Sequence, residues 1–255
     1  MISPKSLSLH PHFQIIGMIL CIETSTSNCS VALCDRQGVI AIRNNRGSQS
    51  HATELTVFIE DILKDADIKA SQLEAIAVSK GPGSYTGLRI GVSTAKGIAF
   101  GASIPIIGVE TTLSMYYGFL INFNGKYDFV ENDIFCPVID ARRMEVYTTI
   151  YDGKGGVIKE TSSEIITEES FPEKEKANRC FIFGDGANKC VDVIKDNNII
   201  IDTNYSVYAS SMCIPSYKKL DNKDFEDVAY FEPFYLKDFI ATKPVKNILH
   251  TSKPI

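Results

Sequence analysis

The sequence predicts an α/β protein of two lobes, each a mixed sheet flanked by helices. Three observations carry this. Short apolar runs bounded by turn residues alternate with amphipathic stretches in the order β-β-β-α-β-α-β between Met18 and Val109. The stretch Lys80-Gly81-Pro82-Gly83-Ser84-Tyr85-Thr86-Gly87-Leu88-Arg89-Ile90-Gly91 joins a buried strand to a helix through a Gly-rich turn. After Glu110 the pattern recurs in shortened form and ends on a strand, Cys180–Phe183, feeding Gly184-Asp185-Gly186.

The elements follow in order. Met18–Thr24, Cys29–Asp35 and Val39–Asn44 read as strands, with Gln37-Gly38 as the tight turn between the last two. Ala52–Asp67 reads as a helix, because Leu55, Ile59, Ile62 and Ala66 share one face, and Ser50 is its expected N-cap. Leu73–Lys80 is a strand, the helix after the turn runs to Ala102, and Pro105–Val109 is the next strand. That order is the repeat unit of the actin/Hsp70/sugar-kinase class. In the second half Thr111–Leu120 reads as a helix, Asn122–Asn132 as a loop, and Phe135–Asp140 and Glu145–Tyr151 as strands across Arg142-Arg143. A further strand starts at Val157, and Glu168–Asn178 is charged and expected to be exposed. The expected division is residues 1–17 as an extension, 18–109 as the first lobe, 110–236 as a degenerate second lobe with a hinge near 105–112, and 237–255 as a tail.

The chain has 255 residues, 44% hydrophobic and 22% charged, enough for a sizeable core. A net charge of -5 argues against a broad nucleic-acid footprint and leaves room only for a local basic patch. The apolar run Ile15–Ile22 is too short to cross a bilayer, and no small-residue cleavage site follows it. Seven cysteines without a CxxC pair read as buried free thiols, which fits a reducing cytoplasm. The four histidines (His10, His12, His51, His250) are too scattered for a zinc site.

Several groups invite a chemical reading. A Gly-rich turn opening a helix can cradle an anion, although here it is no Walker A loop. In the actin-like class, nucleotide phosphates lie against a hairpin and a second-lobe Gly-rich turn. The hairpin Glu23-Thr24-Ser25-Thr26-Ser27-Asn28 offers hydroxyls and a carboxylate for Mg²⁺ but lacks a glycine, and Gly184, Asp185 and Gly186 form the second candidate. The competing reading is a hairpin capped by its own side chains. Asp140, Arg142, Arg143 and Glu145 form either an internal ion-pair network or an anion contact through the arginines. No histidine follows four residues after His51, and no Gly-x-Ser-x-Gly elbow activates Ser84, which argues against a metalloenzyme and a hydrolase. The helix after the turn carries a core stripe (Leu88, Val92, Ala95, Ala99), an outward stripe (Arg89, Ser93, Lys96, Phe100) and a bare strip (Gly87, Gly91, Thr94, Gly101). The bare strip suits close approach of the lobe's own elements or of a helix from another chain.

Four segments in order, Ile19–Thr26, Ser50-His51, Gly81–Arg89 and Asp140–Tyr147, resemble the TsaB (YeaZ) family of tRNA threonylcarbamoyladenosine biosynthesis. Gly184–Ala187 and Glu232–Lys237 add weaker agreement, and Met18 stands where the family usually begins. The resemblance implies an actin-like fold with structural positions at Gly81, Gly83, Ser84, Asp140, Arg142 and Arg143. It implies a cytoplasmic, non-catalytic subunit that stabilises and orients TsaD, with TsaE as a further partner, a homodimer as an alternative pairing, and tRNA reached only through the complex. No cofactor is firmly implied; ATP or ADP would belong to the complex with TsaD, through degenerate phosphate positions at Thr24, Ser25 and Thr26. The implied interface is Phe58, Gly87, Arg89, Gly91, Ser93, Thr94, Lys96 and Gly101. The alternative from another class is an actin-like enzyme with its own ATP-dependent activity.

Overall fold

Three antiparallel strands open the fold: β1 (Ile19–Glu23), β2 (Asn28–Asp35) and β3 (Gly38–Arg46). The computed structural model describes residues 17–46 and 51–237. Helix α1 (His51–Asp65) then carries the chain to β4 (Ala75–Gly81), parallel to β1. Helix α2 (Tyr85–Ala102) carries it on to β5 (Ile106–Glu110), parallel to β4. The first sheet has the order β3-β2-β1-β4-β5. Its central strands are unbroken apolar runs because both faces are covered. Leu20, Ile22, Ile76 and Val78 pack toward α1 and α2, while Ile19, Cys21, Ala77 and Val109 face the other way.

Helix α3 (Thr111–Asn122) crosses to the second sheet, built from β6 (Ile134–Asp140), β7 (Glu145–Asp152), β8 (Val157–Ile165), β9 (Cys180–Phe183) and β10 (Ile199–Asp202). Its order, β10-β9-β6-β7-β8, repeats the topology of the first. An aromatic core joins α3 to this sheet: Phe119 stacks on Phe183 at 4.0 Å and Phe135 on Phe181 at 5.2 Å. The helical layer on the other face is reduced to a 3₁₀ turn at Pro172–Lys176 and one turn of helix, α4 (Asn188–Val191).

Two expectations change. The segment 168–178 is not simply exposed: Phe171 and Lys174 are buried, and Lys174 Nζ donates to the carbonyls of Glu168 (3.3 Å) and Ser170 (3.0 Å). The lysine stem covers apolar surface while its ammonium is satisfied locally. The expected second lobe of 110–236 is also too long. A 3₁₀ turn at Ala209–Met212 and helix α5 (Cys213–Asp221) cover the open face of the first sheet, with Ala209, Met212, Cys213 and Leu220 against Ile19, Cys21 and Val109. Residues 226–234 then run as a strap along the first lobe. Glu226 N donates to Ile106 O (2.9 Å), Phe231 enters the core, and Phe234 N donates to Lys80 O (2.6 Å). An apolar sheet face needs a cover, and the chain's return supplies it.

All seven cysteines are buried and free. Among the described residues no helix is long and apolar enough to cross a membrane. The extension apart from Gly17, the tail beyond Lys237 and the Ser50 N-cap lie outside the described residues.

Candidate functional site: the interlobe cleft

The two Gly-rich turns and the β1–β2 hairpin face a cleft of about 990 Å³ between the lobes. From the first lobe it is lined by Thr26, His51 and Tyr85, from the second by Asp140, Arg142 and Tyr147, and at its mouth by Tyr235 and Lys237.

The hairpin is locked from behind. Thr24 Oγ1 donates to Gly87 O at 2.8 Å, and Ser84 N donates to Ser25 O at 2.6 Å. A Cβ on Gly87 would collide with Thr24 O, one on Gly91 with Thr24 Oγ1, and one on Gly83 with Ser25 O. The signature glycines therefore bring α2 and its turn against the chain's own hairpin. Ser84 caps α2, its side chain accepting from Gly87 N at 3.3 Å. Gly81 needs its φ of +118°, and a Cβ there would press on Phe234 O of the strap.

Glu23 does not face the cleft as a Mg²⁺ carboxylate would, which corrects that expectation. It is fully buried, and its Oε1 accepts from Ser25 N (2.7 Å) and Ser79 Oγ (2.8 Å), while Oε2 has no partner among the described residues. Burial raises its pKa, against the lowering effect of the Ser25 and Ser79 hydrogen bonds. A raised carboxyl pKa gives stability that is present below the unfolded value and lost as pH rises through the folded value. Glu23→Gln should therefore gain on the parent as pH rises from about 4 toward neutrality, because the unfolded parent releases a proton that the buried carboxyl of the folded parent holds. Thermal melts across that range test this; a gap that narrows toward neutral pH would show a paired, charged Glu23 instead. With Glu23 turned inward, the hairpin presents no carboxylate to a cation in the cleft, while Ser25, Thr26 and Ser27 still line it.

His51 lies 3.0 Å from Thr26 O through Nε2, which sets its tautomer with the proton on that nitrogen. On the facing lobe, Gly184 has a φ of +123° and sits against Val138 O and Met115, while Gly186 N donates to Val138 O at 3.1 Å. Asp185 Oδ1 accepts from Asp140 N at 3.1 Å. Asp140 Oδ1 accepts from Arg142 N (2.6 Å) and Lys189 Nζ (2.8 Å), and Glu145 pairs with Lys237. The ion-pair network expected of Asp140 and Glu145 exists, but its cations are Lys189 and Lys237, not the arginines. Among the described residues Arg142 and Arg143 form no ion pair; both are exposed, at φ 69° and 48°. Sequence reasoning missed Lys189 and Lys237 as partners because they lie far along the chain from the motif they hold.

The expected interface residues separate. Gly87 and Gly91 are buried against Thr24, so they offer nothing to a partner, a correction with a steric cause. Phe58 packs partly into the core, and Thr94 is half-buried. Lys96 Nζ is held by the carbonyls of Ala229 and Phe231, both at 3.0 Å. Arg89 lies over the Tyr85 ring at 4.1 Å, and its Nε donates to the Tyr235 hydroxyl at 3.2 Å. Ser93 is exposed, and Gly97 and Gly101 face open space beside Phe100, which is 82% exposed.

Paired mixed sheets, each flanked by helices and facing each other across a cleft, define a two-lobed α/β protein of the actin-like class. The family model described as "TsaD: tRNA N6-adenosine threonylcarbamoyltransferase" matches residues 42–230. The chain is 34% identical over 142 residues to the tRNA threonylcarbamoyladenosine biosynthesis protein TsaB of Bacillus subtilis, covering 56% of this chain and 58% of that one. It is 29% identical over 231 residues to TsaB of Escherichia coli, covering 88% and 96%. YeaZ from Pseudomonas aeruginosa shares the fold, with a TM-score of 0.75 at 24% identity over 87% of this chain and 100% of that one. The chain belongs to the TsaB (YeaZ) family.

Proposed function

We propose that this chain is a non-catalytic subunit of the machinery that makes threonylcarbamoyladenosine beside the tRNA anticodon. It works in the cytoplasm with a TsaD-type transferase, which it stabilises and orients, and with a TsaE-type ATPase. The observation that carries this reading is the outer face of α1 and α2. On α2, Phe100 is 82% exposed beside Gly97 and Gly101, which face open space, and on α1 Val57 is 49% exposed. A large apolar side chain beside bare helix backbone suits a packed helix from another protein. A second copy of this chain is the competing occupant of the same face.

The absence of an own reaction is supported by the hairpin. Its carboxylate is buried, and the close packing of α2 fills the space behind Thr24 and Ser25. The same packing weighs against the ATP-dependent alternative. ATP or ADP and the tRNA are met through the complex.

Depletion of this chain should remove threonylcarbamoyladenosine from tRNA while the transferase remains present. Mass spectrometry of tRNA nucleosides checks this, and normal levels of the modified base would end the assignment. Complementation with Phe100→Asp should fail and should not co-purify the transferase, although the free variant melts like the parent. Full rescue by that variant would move the partner to another face.

A further inference from the structure

The hairpin tip between β6 and β7 adopts a conformation that its residues do not favour. Arg142 and Arg143 both lie in the left-handed region, uncommon for side chains other than glycine. Such departures persist where the surrounding structure enforces them, and they gather at functional positions. Here Asp140 and Lys189 enforce it: Asp140 Oδ1 accepts from Arg142 N, and Lys189 Nζ bridges Asp140 and the Glu145 carbonyl (2.7 Å). The carboxylate nearest the arginines is thus already engaged by Lys189. Both guanidinium groups are exposed, and Arg142 lines the cleft.

Across the opening stands an aromatic platform. The Tyr85 and Tyr235 rings lie 4.8 Å apart, Arg89 covers Tyr85, and Tyr147 lines the facing wall. All three tyrosines are half-exposed. Charge is segregated around the strap. The groove on its other side is lined by Glu160, Glu226, Asp227 and Glu232, with Lys80 tied to Glu110 (3.0 Å) and Glu226 (3.3 Å). The cleft also carries Asp140 and Asp185, but Arg142 there, with exposed Arg143 beside it, has no ion-pair partner among the described residues, whereas the only lysine of the other groove is already paired.

We propose that the mouth of the interlobe cleft binds single-stranded RNA, with Arg142 and Arg143 on phosphates and the tilted Tyr85–Tyr235 pair supporting a base. This rests on the tRNA reading above and deepens it: the unpaired loop touches this chain as well as the transferase. Guanidinium forks take phosphate oxygens in pairs. Bases from an unpaired loop stack on aromatic faces whatever their sequence. An acidic peptide would use the arginines and leave the rings idle.

The test is a titration of the full chain with a labelled anticodon stem–loop RNA, followed by anisotropy at several salt concentrations. The parent should bind in a salt-dependent way. The double variant Arg142→Ala, Arg143→Ala should bind at least about tenfold more weakly, with the slope of log K against log salt smaller by about 1–2. Tyr235→Leu should weaken binding about fivefold or more with the slope unchanged. The two arginines are exposed, so the double variant should melt like the parent, and it decides the matter even if Tyr235→Leu folds poorly. No salt-dependent binding by the parent, or unchanged binding by the double variant, would overturn the proposal. So would displacement of the RNA by poly-glutamate as readily as by poly-uridylate, which would assign the mouth to acidic protein segments. The nucleoside assay on a depleted strain is separate. A negative titration with loss of the modified base removes this contact and keeps the pathway; a positive titration with normal modified base does the reverse.

Discussion

Gly87→Ala is expected to lower the melting temperature, and Gly101→Ala to raise it, although both sit in the same helix. An alanine in a helix interior gains up to about 1 kcal/mol over glycine when nothing else changes. At Gly101, in the last turn of α2, nothing lies within 4 Å of the added methyl, so part of that gain is realised. At Gly87 the methyl would collide with the Thr24 carbonyl oxygen, which belongs to the backbone and cannot swing away. Overpacking of this kind costs about 1–3 kcal/mol, occasionally more. For a chain of this size that is a fall of about 2–12 °C. Gly91→Leu should behave like Gly87→Ala, because its Cβ meets Thr24 Oγ1 and approaches Val78 at 3.4 Å. Equal melting temperatures for the Gly87 and Gly101 variants would mean that the hairpin can retreat from α2 and that the glycines serve another purpose.

The second large effect is expected at Arg179→Leu. Asp133 is fully buried at the start of the second sheet, and its carboxylate accepts from Arg179 Nε (3.0 Å), Val130 N (2.9 Å) and Asn178 Nδ2 (3.3 Å). Burial alone would raise the Asp133 pKa, but the Arg179 guanidinium and these hydrogen bonds outweigh it and hold the group below its ordinary range. Removing the cation leaves a buried carboxylate with only the Val130 N and Asn178 Nδ2 hydrogen bonds; loss of one partner of a buried ion pair costs up to about 3–5 kcal/mol. The sign of the pH effect follows. In the parent, the lowered pKa gives stability present above the unfolded value near 3.9 and lost as pH falls. In the variant the Arg179 share of that lowering is gone, so less of this stability is present above the unfolded value. The gap between the two proteins should therefore be widest near neutrality and shrink toward pH about 4. Urea melts at several pH values measure it, and a gap independent of pH would show that the loss is one of packing and not of charge.

Element type was legible along most of the first lobe, because its strands are short apolar runs and its helices keep a 3.6-residue period. Leu55, Ile59 and Ile62 fall on the buried face of α1 as their spacing demands. The second half of the chain was less legible. Strand β10 and helix α5 carry weak patterns: β10 is only half-buried, and α5 is short and polar on its outer side. In the cleft, the residue types of the hairpin and of Asp140–Tyr147 were visible, but their roles were not.

The sequence by itself determined the two-lobed class, the family, the Gly-rich turn between β4 and α2, and the burial of seven thiols, since each depends on local pattern or on residues near one another in the chain. Tertiary structure alone decided which way the glycine strip of α2 faces. A helix pattern gives the spacing of a bare strip but not which neighbour fills it, and here that neighbour is Thr24, 63 residues away from Gly87. It also decided that Glu23 turns into the protein, that Lys189 and Lys237 hold the Asp140–Glu145 turn, and that residues 209–234 return to cover the first lobe. Each of these depends on a burial or a charge partner that folding brings in from a distant part of the chain, and no local period records it.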